Sequence, residues 1–415
     1  MDAFRCVCVL LFFCISTLCS PQGERLQWSL DQAKSRFLTE NLDVLAAQFN
    51  VADAEAALVE AQLWNNPNFV WNSDMYSIER NEYFNFRNQV LIQMELMVPV
   101  AGRIRKAKAA AESNVEEERF ALQAYVRELV YEFTRSYHDL AVAQEQLKLL
   151  NQLRINFSQV LEAASMQQKT GAISLSELIR LESEKLTLEA EILDVEQRLL
   201  ELQGVLKTML YLKPAVQFVA VLPESPGPEL PALSELLVEL PFRRSDYLAA
   251  SQAVATCERR VSLEKSLALG DVKLGFQPHD RGSNYVRPYQ GLVVEIPLPA
   301  FNRNQRGITI AKNDLARAQL ALLDLDNSMR QEVVASYLSY TKSRQVLSAY
   351  STTTLAQVEA LNQNATANYL ARNLTLLEYL DLQRIYRQTK SDFLAVQRTY
   401  LNARGTVLFV SGLLN

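Results

Sequence analysis

"VVEIPLPAFNRNQRGITIAKND", Val293 to Asp314, alternates apolar and polar residues, meets Pro297 and Pro299, and passes at once into a basic run that favours helix. Proline has no N–H to give to a strand ladder, so the stretch reads as a strand that stops and hands the chain to a helix. The junction is written a second time, about 200 residues upstream, in "QMELMVPVAGRIRKAKAAAES", Gln93 to Ser113. Glu295 answers Glu95, Pro299 answers Pro99, Arg303 answers Arg103 and Ala311 answers Ala111 at one constant offset.

The repetition extends in both directions. After the first junction, apolar positions step alternately by three and four through Leu122, Val126, Leu129, Phe133, Leu140 and Leu147, the spacing of a coiled-coil seam. The same offset carries the seam to Met329, Val333, Tyr340 and Leu347. A second seam, Leu178, Leu181, Leu188, Ile192, Val195 and Leu199, has its counterpart in Tyr379, Leu382, Thr389, Phe393, Val396 and Tyr400. Earlier in each half, "DVLAAQFNVADAE" from Asp43 matches "DYLAASQAVATCE" from Asp246. Each half therefore reads helix, strand, strand, long helix, shorter helix.

The strands are amphipathic. Phe84, Phe86, Val90, Ile92, Met94 and Leu96 alternate with mostly polar neighbours, as do Val272, Leu274 and Phe276, and Leu292, Val294, Ile296 and Leu298; Phe69 and Trp71 share one side of a shorter segment. Segments of about 9 to 11 residues suffice to cross a bilayer when tilted. Trp64, Trp71, Tyr76, Tyr83, Phe84 and Phe86 gather near their ends, where interfacial aromatics belong. The periodicity alone leaves a second reading open, a soluble antiparallel sheet packed on helices. Four strands cannot close a barrel, which needs about eight, so strands that enter lipid require more than one copy of the chain.

Composition narrows the class. Twelve glycines in 415 residues suit long helices, and 42 basic against 47 acidic residues, spread along the chain, leave no basic stripe for nucleic acid. A helix from about Arg103 to Gln168 would run roughly 100 Å, with a shorter pair stacked beside it, which makes a rod or tube wall rather than a globule. Residues 1–20 read as a secretory signal peptide, with Arg5 ahead of an apolar run from Val7 to Leu18. They hold Cys6, Cys8, Cys14 and Cys19, leaving Cys257 to the mature chain. Cys19 stands where a lipid-attachment cysteine could, but Leu18 is not the small residue such signals want before it. Proline-rich residues 211–231 form a connector with one short strand around Val216 to Val221, separating repeats at 21–210 and 232–415.

The order of elements, given twice behind a signal peptide, resembles the outer-membrane efflux proteins of the TolC type over essentially the whole mature chain. "IPLPAFNRNQRG" carries the strongest local likeness, and its "FNRNQ" is similar to the heavy-metal branch, the partners of cobalt, zinc and cadmium pumps. The resemblance implies a mainly α fold with a small β part: four strands per chain in a trimeric 12-stranded transmembrane β-barrel, above an α-helical barrel of long coiled-coil helices. It implies a homotrimer in the outer membrane of a Gram-negative bacterium that docks on a periplasmic adaptor of the membrane fusion type. Behind the adaptor stands an inner-membrane pump of the resistance-nodulation-division type. Drug export by the same kind of duct competes with metal export, and a periplasmic coiled-coil scaffold is an alternative of another class.

The resemblance also names sites. The helix turns at Lys169–Glu182 and Leu370–Gln383 would form a periplasmic tip, with Gly171, Ile173, Ser174, Leu374 and Thr375 meeting the adaptor. Glu378, Asp381 and Glu177 would ring the pore, where like charges attract cations. Arg180 occupies the place of Asp381 in the first half, so the acid pattern is not doubled. The same carboxylates also suit an ordinary first helical turn behind Ser174 and Thr375 as caps. Arg372 in the place of Gly171 predicts that the two turns differ. Around the strand-to-helix junctions, Pro99, Arg103, Pro297, Pro299 and Arg303 set the descent from barrel to tunnel, the arginines meeting head groups, the tunnel wall or solvent. Two histidines, His138 and His279, and one mature cysteine give no metal-ligand cluster, and nothing resembles a catalytic motif or a cofactor site.

Overall fold

The computed structural model describes residues 25–73, 75–77, 81–83, 90–223, 227–280 and 289–414. In chain order the elements are β1 (Arg25–Trp28), α1 (Leu30–Glu40), α2 (Leu42–Glu60), β2 (Asn68–Ser73), β3 (Tyr76–Ser77), β4 (Glu82–Tyr83) and β5 (Val90–Val98). There follow α3 (Arg103–Lys169), α4 (Leu175–Met209), β6 (Gln217–Ala220), α5 (Leu233–Arg243), α6 (Ser245–Ser266), β7 (Val272–Asp280) and β8 (Tyr289–Glu295). The last are α7 (Gln305–Ala349), α8 (Thr352–Leu370) and α9 (Leu376–Val410). The signal segment, Phe84 and Phe86 fall outside the described residues.

The unbroken 67-residue α3 is the spine, about 100 Å long at 1.5 Å per residue. The helices α2 and α6 lie along its first part, where Arg119 reaches Glu55 and Gln252 reaches Ser113. Its second part carries α4 and α9, with Arg154 facing Glu189 and Gln146 donating to Ser391. The seam residues do bury themselves. Leu153, Phe157, Leu181, Leu188, Tyr379 and Tyr386 share one lower core among α3, α4, α8 and α9. Higher up the two halves have matching cores. Phe37, Phe133, Leu140 and Leu206 fill one, and Leu240, Val333, Tyr340 and Val407 fill the other at the corresponding places.

Two expectations need correction. The early helix of each half is two helices, broken at Asn41 and at Arg244. Asn41 accepts from the N–H groups of Asp43 and Val44 and donates to the Met209 carbonyl at 3.0 Å. Arg244 instead reaches the Val410 carbonyl and pairs with Asp246 and Glu332. Different side chains thus pin the break to the end of a return helix in each half. The second correction concerns the long helix after the second junction. It is not continuous: α7 stops at Ala349 and α8 restarts behind Ser351, whose hydroxyl caps the Thr354 N–H at 3.0 Å.

Sequence reading missed β1, four residues whose partner β6 lies far along the chain in the connector; the two pair in parallel. Gln203 and Gln144 bond Phe218 and Ala220 on the outer side of β6, so two amides stand in for a third strand. The Tyr137 hydroxyl closes the ladder, accepting from the Val221 N–H and donating to the Trp28 carbonyl, both at 2.8 Å. Tyr137→Phe would leave both part-buried groups without this partner. It is expected to lower stability by about 1–3 kcal/mol in urea titrations followed by circular dichroism. A loss within experimental error would mean that water satisfies the ladder end instead.

The main sheet runs in the order β2-β5-β7-β8, antiparallel throughout. Both outer strands present open edges among the described residues, and none of the helices packs extensively on either face.

Candidate functional site: the sheet faces and the helical tips

Register sorts the side chains of the sheet. Phe69 stands opposite Met94, Met94 opposite Phe276 and Phe276 opposite Leu292, while Trp71 pairs with Ile92, Leu96 with Leu274 and Leu274 with Val294. All of these lie on one face, which is apolar across four strands and open to the surroundings: Phe69, Trp71, Met94, Leu292 and Val294 are each more than half exposed. An apolar face of this width is not left in water, and among the described residues no helix packs extensively on it. The other face carries Gln93, Glu95, Lys273, Gln277 and Glu295 in one hydrogen-bonded group. Lys273 pairs with Glu95 at 2.9 Å and Glu295 at 3.4 Å, while Gln277 donates to Gln93 and Gln93 to Glu95. Gly275 leaves room for Gln93, whose amide would lie 3.1 Å from any Cβ there. Trp64, before β2, and Tyr76 and Tyr83, beyond its other end, are exposed, with the two tyrosine rings 4.7 Å apart.

The junctions that wrote the repeat are not built alike. In the first, Ala101 and Gly102 both take left-handed backbone, and Arg103 crosses to the other half to pair with Asp271 at 2.6 Å. In the second, Arg303 folds back on its own chain, donating to the Pro299 carbonyl at 3.0 Å, while Asn304, left-handed at φ 55°, donates to Glu264. Pro99 and Pro297 stand just past the last ladder residues of β5 and β8.

At the opposite end the two tips share one geometry, contrary to the difference expected from Arg372. Gly171 and Arg372 are left-handed at φ 73° and 63°. Ala172 and Asn373 each donate to a carbonyl five residues back at 2.8 Å, the hydrogen bond of a Schellman ending. Ser174 and Thr375 then cap α4 and α9, and Glu177 and Glu378 close capping boxes by accepting from the capping residues' N–H groups at 2.8 Å. The Thr375 N–H and hydroxyl hold the Glu378 carboxyl below the usual carboxylate range. Ile173 and Leu374 pack on the lower core. Asp381 is exposed and paired with Arg384 at 2.7 Å, so of the three expected ring acids two are committed to helix starts in this chain.

One group near the tip escaped the sequence reading. Arg387 on α9 reaches Glu184 at 3.0 Å and Glu191 at 3.5 Å, two acids a heptad apart on α4, and so ties one helical hairpin to the other. The heptad spacing of the acids was the available signal. Arg387→Ala is expected to lower stability by about 1 kcal/mol or less and to raise the open probability of the reconstituted protein in planar bilayers. An unchanged open probability would make the tie structural only.

Among the described residues no three His, Cys, Asp or Glu side chains gather as a metal site, and no helix is long and apolar enough to cross a membrane. His138 is buried between α3 and α9, and the side chain of His279 lies outside the description.

No family model matches the chain. A curated relative, the cobalt-zinc-cadmium resistance protein CzcC of Cupriavidus metallidurans, is 25% identical over 391 residues, which are 91% of this chain and 88% of the relative. The solved transmembrane channel CusC superposes with a TM-score of 0.72 at 17% identity over 92% of both chains. The CmeC outer membrane channel of Campylobacter jejuni gives 0.72 at 14% identity, over 92% of this chain and 85% of that one. The chain has the fold of these solved outer-membrane channels. In a fold seen in solved outer-membrane channels, an exposed apolar sheet face suits lipid better than water. The relative is named for metal resistance and the solved neighbours as channels, none of them as an enzyme.

Proposed function

We propose that the protein is the outer-membrane duct of a tripartite machine that exports heavy-metal cations, working as a homotrimer with a periplasmic adaptor and a resistance-nodulation-division pump. One observation carries the duct: a four-stranded sheet with one wholly apolar exposed face and two open edges, continuous with helices far too long for a globule. The internal repeat says how copies join. Inside the chain, the second strand of the first half, β5, pairs with the first strand of the second half, β7. The equivalent pairing for β8 is with β2 of the next copy. Likewise α3 meets α6 within the chain, leaving α7 to meet the next copy's α2, where Leu42, Phe49 and Val59 are exposed. Three copies bring twelve strands, comfortably above the roughly eight that close a barrel.

Support for the cargo is the likeness to CzcC, which outranks drug export as the reading for this chain. Residues 1–20 serve as the export signal, and 21–210 and 232–415 are two wall segments joined by the connector at 211–231. Gly171, Ile173, Ser174, Leu374 and Thr375 form the adaptor-facing tip. Asp381, with Glu177 and Glu378 at the helix starts, gives that tip its negative charge. The test is a gene deletion scored against zinc, cobalt, cadmium, copper and bile salts, with outer-membrane fractions examined for a heat-resistant trimer. Metal sensitivity and a trimer band are expected. Bile-salt sensitivity alone moves the cargo to drugs, and a soluble monomer or dimer removes the duct.

A further inference from the structure

The polar face of the sheet holds one feature that a cation duct has to deal with. Glu95 on β5 and Glu295 on β8 flank the intervening strand β7, and both carboxylates converge on the Lys273 ammonium, at 2.9 and 3.4 Å. The same Glu95 oxygen also takes the Gln93 amide at 2.6 Å, which fixes its direction. Divalent cations sit about 2.0–2.6 Å from carboxylate oxygens, and the ammonium fills the gap between these two carboxylates to which such a cation would be drawn. Lys273 is the second residue of β7 and stands directly opposite Glu295 in the register.

We propose that Lys273 is a specificity-determining residue, an internal cation that occupies the Glu95–Glu295 seat and keeps the barrel wall from trapping the divalent cations that pass it. The inference rests on the duct reading, in which this face lines the barrel. Each chain then offers passing cations a net charge of about one negative unit from the three groups, enough to attract them without binding them in one place. Without the ammonium, two carboxylates would face a common point, with the Gln93 amide still aligning one of them. That arrangement binds a hard or borderline divalent cation.

The test is zinc block of the full-length protein in planar lipid bilayers. Wild-type channels are expected to pass current with little block by zinc chloride. Lys273→Gln should be blocked at concentrations at least about tenfold lower, and the Lys273→Gln, Glu95→Gln double variant should return to the wild-type response. Lys273→Arg, which keeps the charge, should match the wild type. If the glutamine variant does not insert, Lys273→Cys in a Cys257→Ser background can be compared before and after an ethylammonium thiosulfonate reagent restores the positive charge in the same channel. Restoration should relieve the block. Equal zinc block with and without the positive charge at position 273, in channels that conduct, overturns the role of Lys273. Wild-type protein that forms no conducting channel sinks the duct reading instead.

Discussion

Arginine in place of Val294 is expected to abolish assembly. Val294 is 61% exposed in the single chain and stands on the apolar face of the outer strand β8, opposite Leu274. On a lipid-facing barrel position a cationic side chain costs about 2–4 kcal/mol near the bilayer centre, less toward the interfaces. A homotrimer carries that penalty in every copy, on the strand that has to find its partner across the interface between copies. Heat-resistant oligomer in outer-membrane fractions should therefore fall to background for Val294→Arg. Val293→Ser, one residue away and on the polar face, should leave it within error of wild type. Normal oligomer from the arginine variant would mean that the exposed apolar face never meets lipid.

The second large effect is on pH. His138 is 7% exposed, and burial pushes it down to about 4 from its ordinary value near 6.5. Asn402 and Asp139 lie close by and favour the proton, while Arg404 on α9 opposes it. Between those two values the unfolded chain binds a proton at this site that the folded chain refuses, so stability falls as pH falls. The contribution is fully present above about pH 6.5 and is lost as the pH drops toward 4. The whole swing amounts to about 3 kcal/mol at 1.36 kcal/mol per unit. Urea midpoints measured from pH 7 to pH 4 should converge between wild type and His138→Asn as the pH falls, since the variant lacks this proton. Parallel curves would show that His138 accepts its proton without opening the α3–α9 contact.

What the sequence disclosed follows from which forces have a period. The seams through Phe133, Leu140 and Leu188 were legible because burial repeats every three or four residues, and all three are fully or almost fully buried. The strand faces were legible for the same reason at period two. Breaks set by single side chains were not. Asn41, Arg244 and Ser351 interrupt helices whose apolar spacing runs straight through them, and in each case the decision lies in a cap or a distant carbonyl. Arg372 misled because its residue type argues against left-handed backbone, whereas the Asn373 hydrogen bond to the Asn368 carbonyl holds it there. The repeat itself overreached at the junctions. Arg103 and Arg303 occupy one place in the pattern, yet one bridges the two halves and the other closes a local turn.

The interruption at Tyr350 and Ser351 has a bearing on how a ring of these chains can move. One half contributes a stave of 67 residues without a joint, the other a stave of 45 and 19 residues hinged between them. In the proposed homotrimer, rigid and jointed staves would alternate around the circumference. Sixfold pseudo-symmetry therefore holds only while the tube is still: bending at the joints displaces every second stave, and the aperture at the tips must pass through shapes of threefold symmetry.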